Sequence, residues 1–165
     1  MKEYQTLSHC FSPVFDEHSK ILILGTFPSV KSREINFYYG HPQNRFWRML
    51  AALQKVPVPQ SIDEKKQFLL ANHIAIWDVI SQCDIIGSSD SSIKNVIPAD
   101  LSLILKKAPI RNIYGNGQKA CDLYRRYTLP LTGREIIKLP STSPANASWQ
   151  MDRLLKAWSA IKQDL

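Results

Sequence analysis

The run Lys20-Ile21-Leu22-Ile23-Leu24-Gly25 constrains this chain more than any other segment. A strand with one face in water alternates apolar and polar residues. A run that is apolar at every position, β-branched and closed by glycine, reads instead as a parallel strand covered on both faces. The rest of the chain offers partners for it. Ile74-Ala75-Ile76-Trp77-Asp78-Val79-Ile80 is a second apolar run, Asn112-Ile113-Tyr114 a third, and Glu135-Ile136-Ile137-Lys138-Leu139 a fourth. Helices are expected between and after them, over residues 45–54, 62–72, 99–107, 118–127 and 148–162. Asn44 is placed to cap the first of these, and Ser61 with Glu64 makes a capping box for the second. Strands alternating with helices predict an α/β class: a small, mainly parallel four-stranded sheet flanked by helices. The length of 165 residues, without repeat or linker, predicts one domain over residues 1–165.

In open α/β sheets, ligands lie outside the carboxyl ends of the strands. Three connections leave such ends: residues 26–44, 115–117 and 140–146. A site is expected where they meet. The first is long, and residues 30–43 show no helical period, so a functional loop is expected there. It carries Phe37, Tyr38 and Tyr39 in succession, and a loop aromatic beside Gly40 offers a platform for a flat ring. At least one of Phe37 and Tyr38 is expected to pack beneath the loop instead. The plain alternatives are a helix cap for Asn44 and a surface role for His41. The third loop, Pro140-Ser141-Thr142-Ser143-Pro144-Ala145-Asn146, is stiffened by two prolines and lined by small hydroxyl residues. Residues 82–98 read as a further polar, serine-rich loop.

Composition narrows the function classes. Hydrophobic residues make up 44% and charged residues 21%, a globular profile. No apolar run approaches the ~18 residues of a membrane span, and the N-terminus lacks a signal peptide's apolar core, so an intracellular, cytoplasmic protein is expected. The three cysteines are dispersed and the histidines show no paired spacing, which predicts no metal site and no disulfide framework. No phosphate loop, dinucleotide fingerprint or nucleophile elbow is present, and no cofactor is expected. The net charge is +7. Lys106, Lys107, Arg111, Lys119, Arg125, Arg126, Arg134 and Lys138 face only Asp122 and Glu135 between residues 102 and 138. Such an excess attracts polyanions.

Two stretches are more specific than any of this. Ile23-Leu24-Gly25-Thr26-Phe27-Pro28-Ser29, followed by Tyr38-Tyr39-Gly40-His41-Pro42-Gln43-Asn44-Arg45-Phe46-Trp47, resembles the first motif region of the uracil-DNA glycosylase superfamily. Leu139-Pro140-Ser141-Thr142-Ser143-Pro144-Ala145-Asn146 resembles its second motif. The order of the motifs and the α/β pattern between them also match, so the resemblance covers most of the chain. It is nearest to the hypoxanthine-DNA glycosylase branch, with the mismatch-specific uracil/thymine branch next.

The resemblance implies a DNA glycosylase that acts on DNA containing deaminated bases, without metal or cofactor and as a monomer. It implies that Tyr39 stacks on a flipped base, and that Gly25, Thr26, Phe27, Pro28 and Ser29 form the motif around base and water. It implies that Ser141, Thr142, Ser143, Pro144 and Asn146 press on the DNA backbone, and that Gly117 contacts phosphate through its amide. Many of these enzymes carry Asp or Asn in the first motif to position the attacking water. Phe27 stands there in this chain and cannot polarise water. The hypoxanthine branch likewise lacks that polar residue and uses an asparagine further along, which Asn44 matches; its amide oxygen is expected to hold the water. No lysine lies in either motif, so no Schiff-base lyase step is expected. The competing readings are a uracil/thymine mismatch enzyme, a non-catalytic DNA-binding domain of the same fold, and a small-molecule α/β hydrolase.

Overall fold

The computed structural model describes residues 3–165. Strand β1 (Gln5–Ser8) precedes β2 (Ile21–Gly25), and β2 leads into α1 (Val30–Ile35) and α2 (Phe46–Gln54). Then come α3 (Ile62–Ala71), β3 (Ile74–Asp78), β4 (Ile80–Ile85), β5 (Lys94–Pro98) and α4 (Ser102–Lys107). The chain ends with β6 (Asn112–Asn116), α5 (Gln118–Leu123), α6 (Leu129–Thr132), β7 (Ile136–Leu139) and α7 (Met151–Trp158).

Strand β2 lies inside a four-stranded sheet of order β3-β2-β6-β7. All three pairings are parallel. The apolar run is continuous because both its faces are covered. Ile21 and Ile23 enter one core with Phe46, Met49, Leu50, Leu154 and Trp158 from α2 and α7. Leu22 and Leu24 enter the other with Ile104, Cys121, Leu123 and Tyr124. All four are fully buried, and each stabilises the fold by roughly 1.5–3 kcal/mol.

The structure departs from the expectations in four places. The apolar run 74–80 is not one strand. β3 ends at Asp78, and β4 starts two residues later in another sheet. Val79 donates its N–H to the Gly25 carbonyl at 2.9 Å as the chain leaves the parallel sheet. Residues 82–98, expected as a loop, supply most of a three-stranded antiparallel sheet of order β1-β4-β5. Its burial pattern is mostly intermediate to exposed, so hydropathy alone gave no strand signal there. Residues 30–43 contain the helix α1, capped by the Ser29 hydroxyl on the Ser32 amide and closed by Asn36 in the left-handed region. It is too short to show a helical period. The helix expected over 118–127 passes into a π-helical stretch over Tyr124–Thr128.

Candidate active site

A cleft of about 530 Å³ opens at the carboxyl ends of β2, β3 and β6, and the first and third loops form its walls. It is lined by Gly25, Thr26, Phe27, Pro28, Ser29, Tyr39 and Asn44 from the first motif region, and by Ser141, Thr142, Ser143 and Pro144 from the second. Gly117 and Asn146 lie outside it.

The first wall is held rigid from beneath. Phe37 and Tyr38 are both core residues, 2% exposed. Tyr39 follows with a left-handed backbone (φ 53°). That turn lays its ring flat on Phe46, with centroids 3.9 Å apart at an interplanar angle of 22°. The Tyr39 hydroxyl is buried and has no partner in hydrogen-bond geometry among the described residues. Burial, followed by the Asp78 carboxyl, raises its pKa far above the ordinary phenol value, so it stays a neutral donor; the Asn116 amide opposes the shift. No acceptor among the described residues takes the backbone N–H of Thr26, Phe27 or Ser29.

Asn44 keeps its capping role: its Oδ1 accepts the Phe46 amide at 3.0 Å, although the helix proper starts at Phe46. The same oxygen accepts the Thr142 hydroxyl at 2.9 Å. Both lone pairs are therefore taken, and the expectation that this oxygen holds the water is not met. The atom left for the cleft is Nδ2, a donor. Thr142 in turn accepts from Asn116 Nδ2 at 3.0 Å and donates its backbone N–H to Asn116 Oδ1 at 3.0 Å. A directed chain thus runs from Asn116 through Thr142 to Asn44.

This overturns one expected role. Thr142 is 1% exposed and committed on both sides, so it ties the two loops together and is not presented to a DNA backbone. Gly117 is corrected as well. Its N–H already serves the Leu139 carbonyl at 2.9 Å, which leaves nothing for a phosphate. It is needed for shape: φ is +98°, and an added Cβ would meet Ser141 Cβ at 3.1 Å. Ser141, Ser143, Pro144 and Asn146 are partly exposed on a loop with internal staples. Asn146 Nδ2 donates to the Ser141 carbonyl at 3.0 Å, and the Ser141 and Ser143 hydroxyls accept from Ser143 and Ala145 amides, each at 3.1 Å.

Three residues of the site were not anticipated. The Arg45 side chain donates to the carbonyls of Thr142 (3.4 Å), Ser143 (2.9 Å), Asn146 (3.2 Å) and Trp149. It meets no carboxylate among the described residues and serves as a clamp on the third loop. Asp78, 4% exposed, stands at the end of β3 beside Gly25. A Cβ on Gly25 would lie 2.5 Å from Asp78 Oδ1 and 3.2 Å from the Tyr39 hydroxyl, so only glycine leaves the cleft floor open. His9, from the segment after β1, meets Asp78 Oδ2 with its Nε2 at 2.8 Å. A charged residue ending an apolar strand was a legible signal for Asp78. Nothing in the sequence links His9 to it across 69 positions.

No group of three or more metal-type ligands occurs among the described residues, and no described helix is long and apolar enough to cross a membrane.

The family model of the uracil DNA glycosylase superfamily matches residues 12–162. A protein of Methanosarcina acetivorans described as hypoxanthine DNA glycosylase is 35% identical over 153 residues, which covers 92% of this chain and 95% of the relative. A protein of Methanosarcina barkeri with the same description is 35% identical over 139 residues, 82% of this chain and 86% of the relative. A solution NMR structure from Methanosarcina acetivorans, described as a candidate uracil DNA glycosylase, superposes with a TM-score of 0.77 at 35% identity, covering 92% of this chain and 93% of that one. With both motif loops meeting at one cleft, and with matches that span nearly the whole chain, this protein belongs to the uracil DNA glycosylase superfamily.

Proposed function

We propose that this protein is a monofunctional DNA glycosylase that hydrolyses the N-glycosidic bond of a deaminated base, hypoxanthine first among them. The observation that carries this reading is the cleft itself. An aromatic platform, a donor-rich turn and an asparagine converge at strand ends, in a chain 35% identical to proteins described as hypoxanthine DNA glycosylases. The bond between the sugar C1′ and the base nitrogen breaks, and water adds to C1′. The sugar develops oxocarbenium character as in other glycoside hydrolysis, so the water needs placement more than deprotonation. Asn44 supplies that placement through Nδ2. The amides of Thr26, Phe27 and Ser29 are free donors for the electron density that the departing base acquires. Unpairing costs least at a mismatch, which favours deaminated bases over paired ones. The basic excess contributes salt-dependent affinity for duplex. The protein acts as a monomer inside the cell, without metal or cofactor.

Duplexes carrying one hypoxanthine, uracil, xanthine or G·T mismatch test this reading, with alkali cleavage of the abasic product. Hypoxanthine duplexes are expected to be cut fastest, with no borohydride-trapped adduct. Faster cleavage of uracil or thymine moves the protein to the mismatch branch, and no cleavage of any duplex leaves a binding domain.

Tyr39→Ala is expected to weaken capture of a flipped base by roughly 5- to 150-fold, the equivalent of about 1–3 kcal/mol for one base–aromatic stack. Tyr39→Phe keeps the ring and removes a buried hydroxyl that has no partner among the described residues, so its melting temperature should equal or exceed that of the parent. Equal substrate affinity in Tyr39→Ala and the parent would assign the ring to packing alone.

A further inference from the structure

Three large apolar side chains stand out from the fold more than any others among the described residues: Leu131 (74% exposed), Leu103 (61%) and Ile97 (50%). All three belong to segments that border one groove of about 320 Å³. Pro98, Ala99, Leu101 and Leu105, from the end of β5 into α4, form one wall. Thr128 and Leu131, from the π-helical stretch and α6, form the other. The groove shares no residue with the cleft. Its second wall is not packed for stability alone. The Leu129 amide bonds to the Tyr124 carbonyl, five residues back, in the π register. Such turns are rare and recur at functional sites. Thr128 is 1% exposed, and its hydroxyl has no partner in hydrogen-bond geometry among the described residues. A buried hydroxyl left unpaired costs stability. The charged side chains beside the groove are basic but for one. Lys106 lines it, and Arg125 and Arg126 stand exposed on the π-helical stretch. None of the three forms an ion pair among the described residues. Lys107 is turned to Phe15 instead, 5.7 Å from its ring centroid. The one acid, Asp100, is occupied: its carboxylate accepts the Ser102 amide at 2.9 Å.

We infer that this groove is a docking site for a peptide segment of another protein, one that carries a large apolar side chain flanked by aspartate or glutamate. Clustered apolar residues exposed on a surface mark a site of interaction. The volume lies at the lower end of the range for ligand pockets, ~300–1,000 Å³, which suits one or two inserted side chains. The apolar walls supply affinity by excluding water, and the cations beside them select the partner and steer it in. The same charges disfavour the other occupants. A second copy of this chain would bring its own net charge of +7 to the contact. A duplex is attracted by the cations, but it presents phosphates outward and has no apolar projection to place between Leu105 and Leu131. An acidic segment with an apolar anchor satisfies both features. Because the groove and the cleft have no residue in common, a docked partner leaves the cleft open, and docking and excision are separable.

A displayed library of random peptides, selected on the immobilised full chain, tests this. Enriched sequences are expected to carry acidic residues around a leucine, isoleucine or aromatic residue. The best of them, made synthetically, should shift the amide resonances of Ala99, Leu101, Leu105 and Leu131 and leave those of Thr26 and Asn44 in place. Leu131→Asp sets a like charge against the peptide at a position already exposed, and Lys106→Glu reverses the charge in the groove. Each should lower affinity for that peptide at least about tenfold, with melting temperature and excision unchanged. Lys106→Glu should also flatten the salt dependence of peptide binding. No enrichment, enriched sequences without an acidic excess, or equal peptide binding by Leu131→Asp and the parent would overturn the proposal. So would a dimer of the parent that Leu131→Asp dissociates, which gives the groove to a second copy. Shifts of the same groove amides on adding an undamaged duplex would overturn it in favour of nucleic acid.

Discussion

Asn44→Ala is expected to lower single-turnover excision by at least about 100-fold, the effect of losing placement of one reacting group, with duplex affinity nearly unchanged. The structure adds a second consequence. Asn44 Oδ1 accepts both the Phe46 amide and the Thr142 hydroxyl, so alanine removes a helix cap and leaves a buried hydroxyl without its acceptor. Each loss costs on the order of 1 kcal/mol, and the melting temperature should fall by roughly 4–8 °C. Asn44→Asp separates the two roles. It keeps an acceptor for both donors but replaces the cleft-facing N–H with an oxygen. Near-parental melting with turnover still reduced at least about tenfold is expected. Full turnover in Asn44→Asp would show that water is held by an acceptor, and full turnover in Asn44→Ala would remove Asn44 from the chemistry.

Arg45→Met is expected to be the most destabilising single change at the site. The guanidinium joins four backbone carbonyls between residues 142 and 149; once it is gone those of Thr142, Ser143 and Asn146 keep one backbone donor each but lose the charged one that holds them together. Hydrogen bonds to a charged group contribute about 1.5–3 kcal/mol each and are not additive, so a loss of at least about 3 kcal/mol is expected. That corresponds to a fall of roughly 6–12 °C in melting temperature. Excision should fall with it, because Thr142 no longer meets Asn44 in a fixed place. Arg45→Lys should recover little, since one ammonium cannot span carbonyls arranged for a planar fork. Thermal unfolding by circular dichroism together with limited proteolysis checks this. New cleavage confined to residues 141–149 is the expected signature. A variant that melts with the parent and resists cleavage there would show that the loop stands without its clamp.

The parallel sheet was legible because a strand covered on both faces has to be apolar at every position, and residues 21–24 are. The antiparallel sheet was not. Its strands are short and half-exposed, and Ser81, Gln82 and Asp84 read as loop by composition. The site divides in the same way. Tyr39 and Asn44 lie in contiguous motifs, where the residues carry their own context. Asp78 is readable in principle as a charge closing an apolar strand, but Val79 and Ile80 continue the apolar run past it and mask the strand's end. Arg45 was hidden because sequence shows a basic residue and not its acceptors, and backbone carbonyls leave no mark in a sequence. Thr142 and Gly117 were misplaced for a related reason. A small residue in a loop suggests access to a ligand, whereas here one hydroxyl and one amide are consumed by the loop's own architecture.

The ties between the first and third loops span 97 to 104 positions of chain. This sets an order in time. A chain made from its N-terminus at about 5–20 residues per second emerges with Tyr39, Asn44 and Arg45 roughly 5–20 s before the segment that Arg45 grips. Until then β6 has an unpaired edge where β7 will lie, and Asn116 awaits Thr142. The two loops therefore lock in one step, once residues 142–149 have emerged, and a nascent chain that stops short of residue 142 carries half of the cleft.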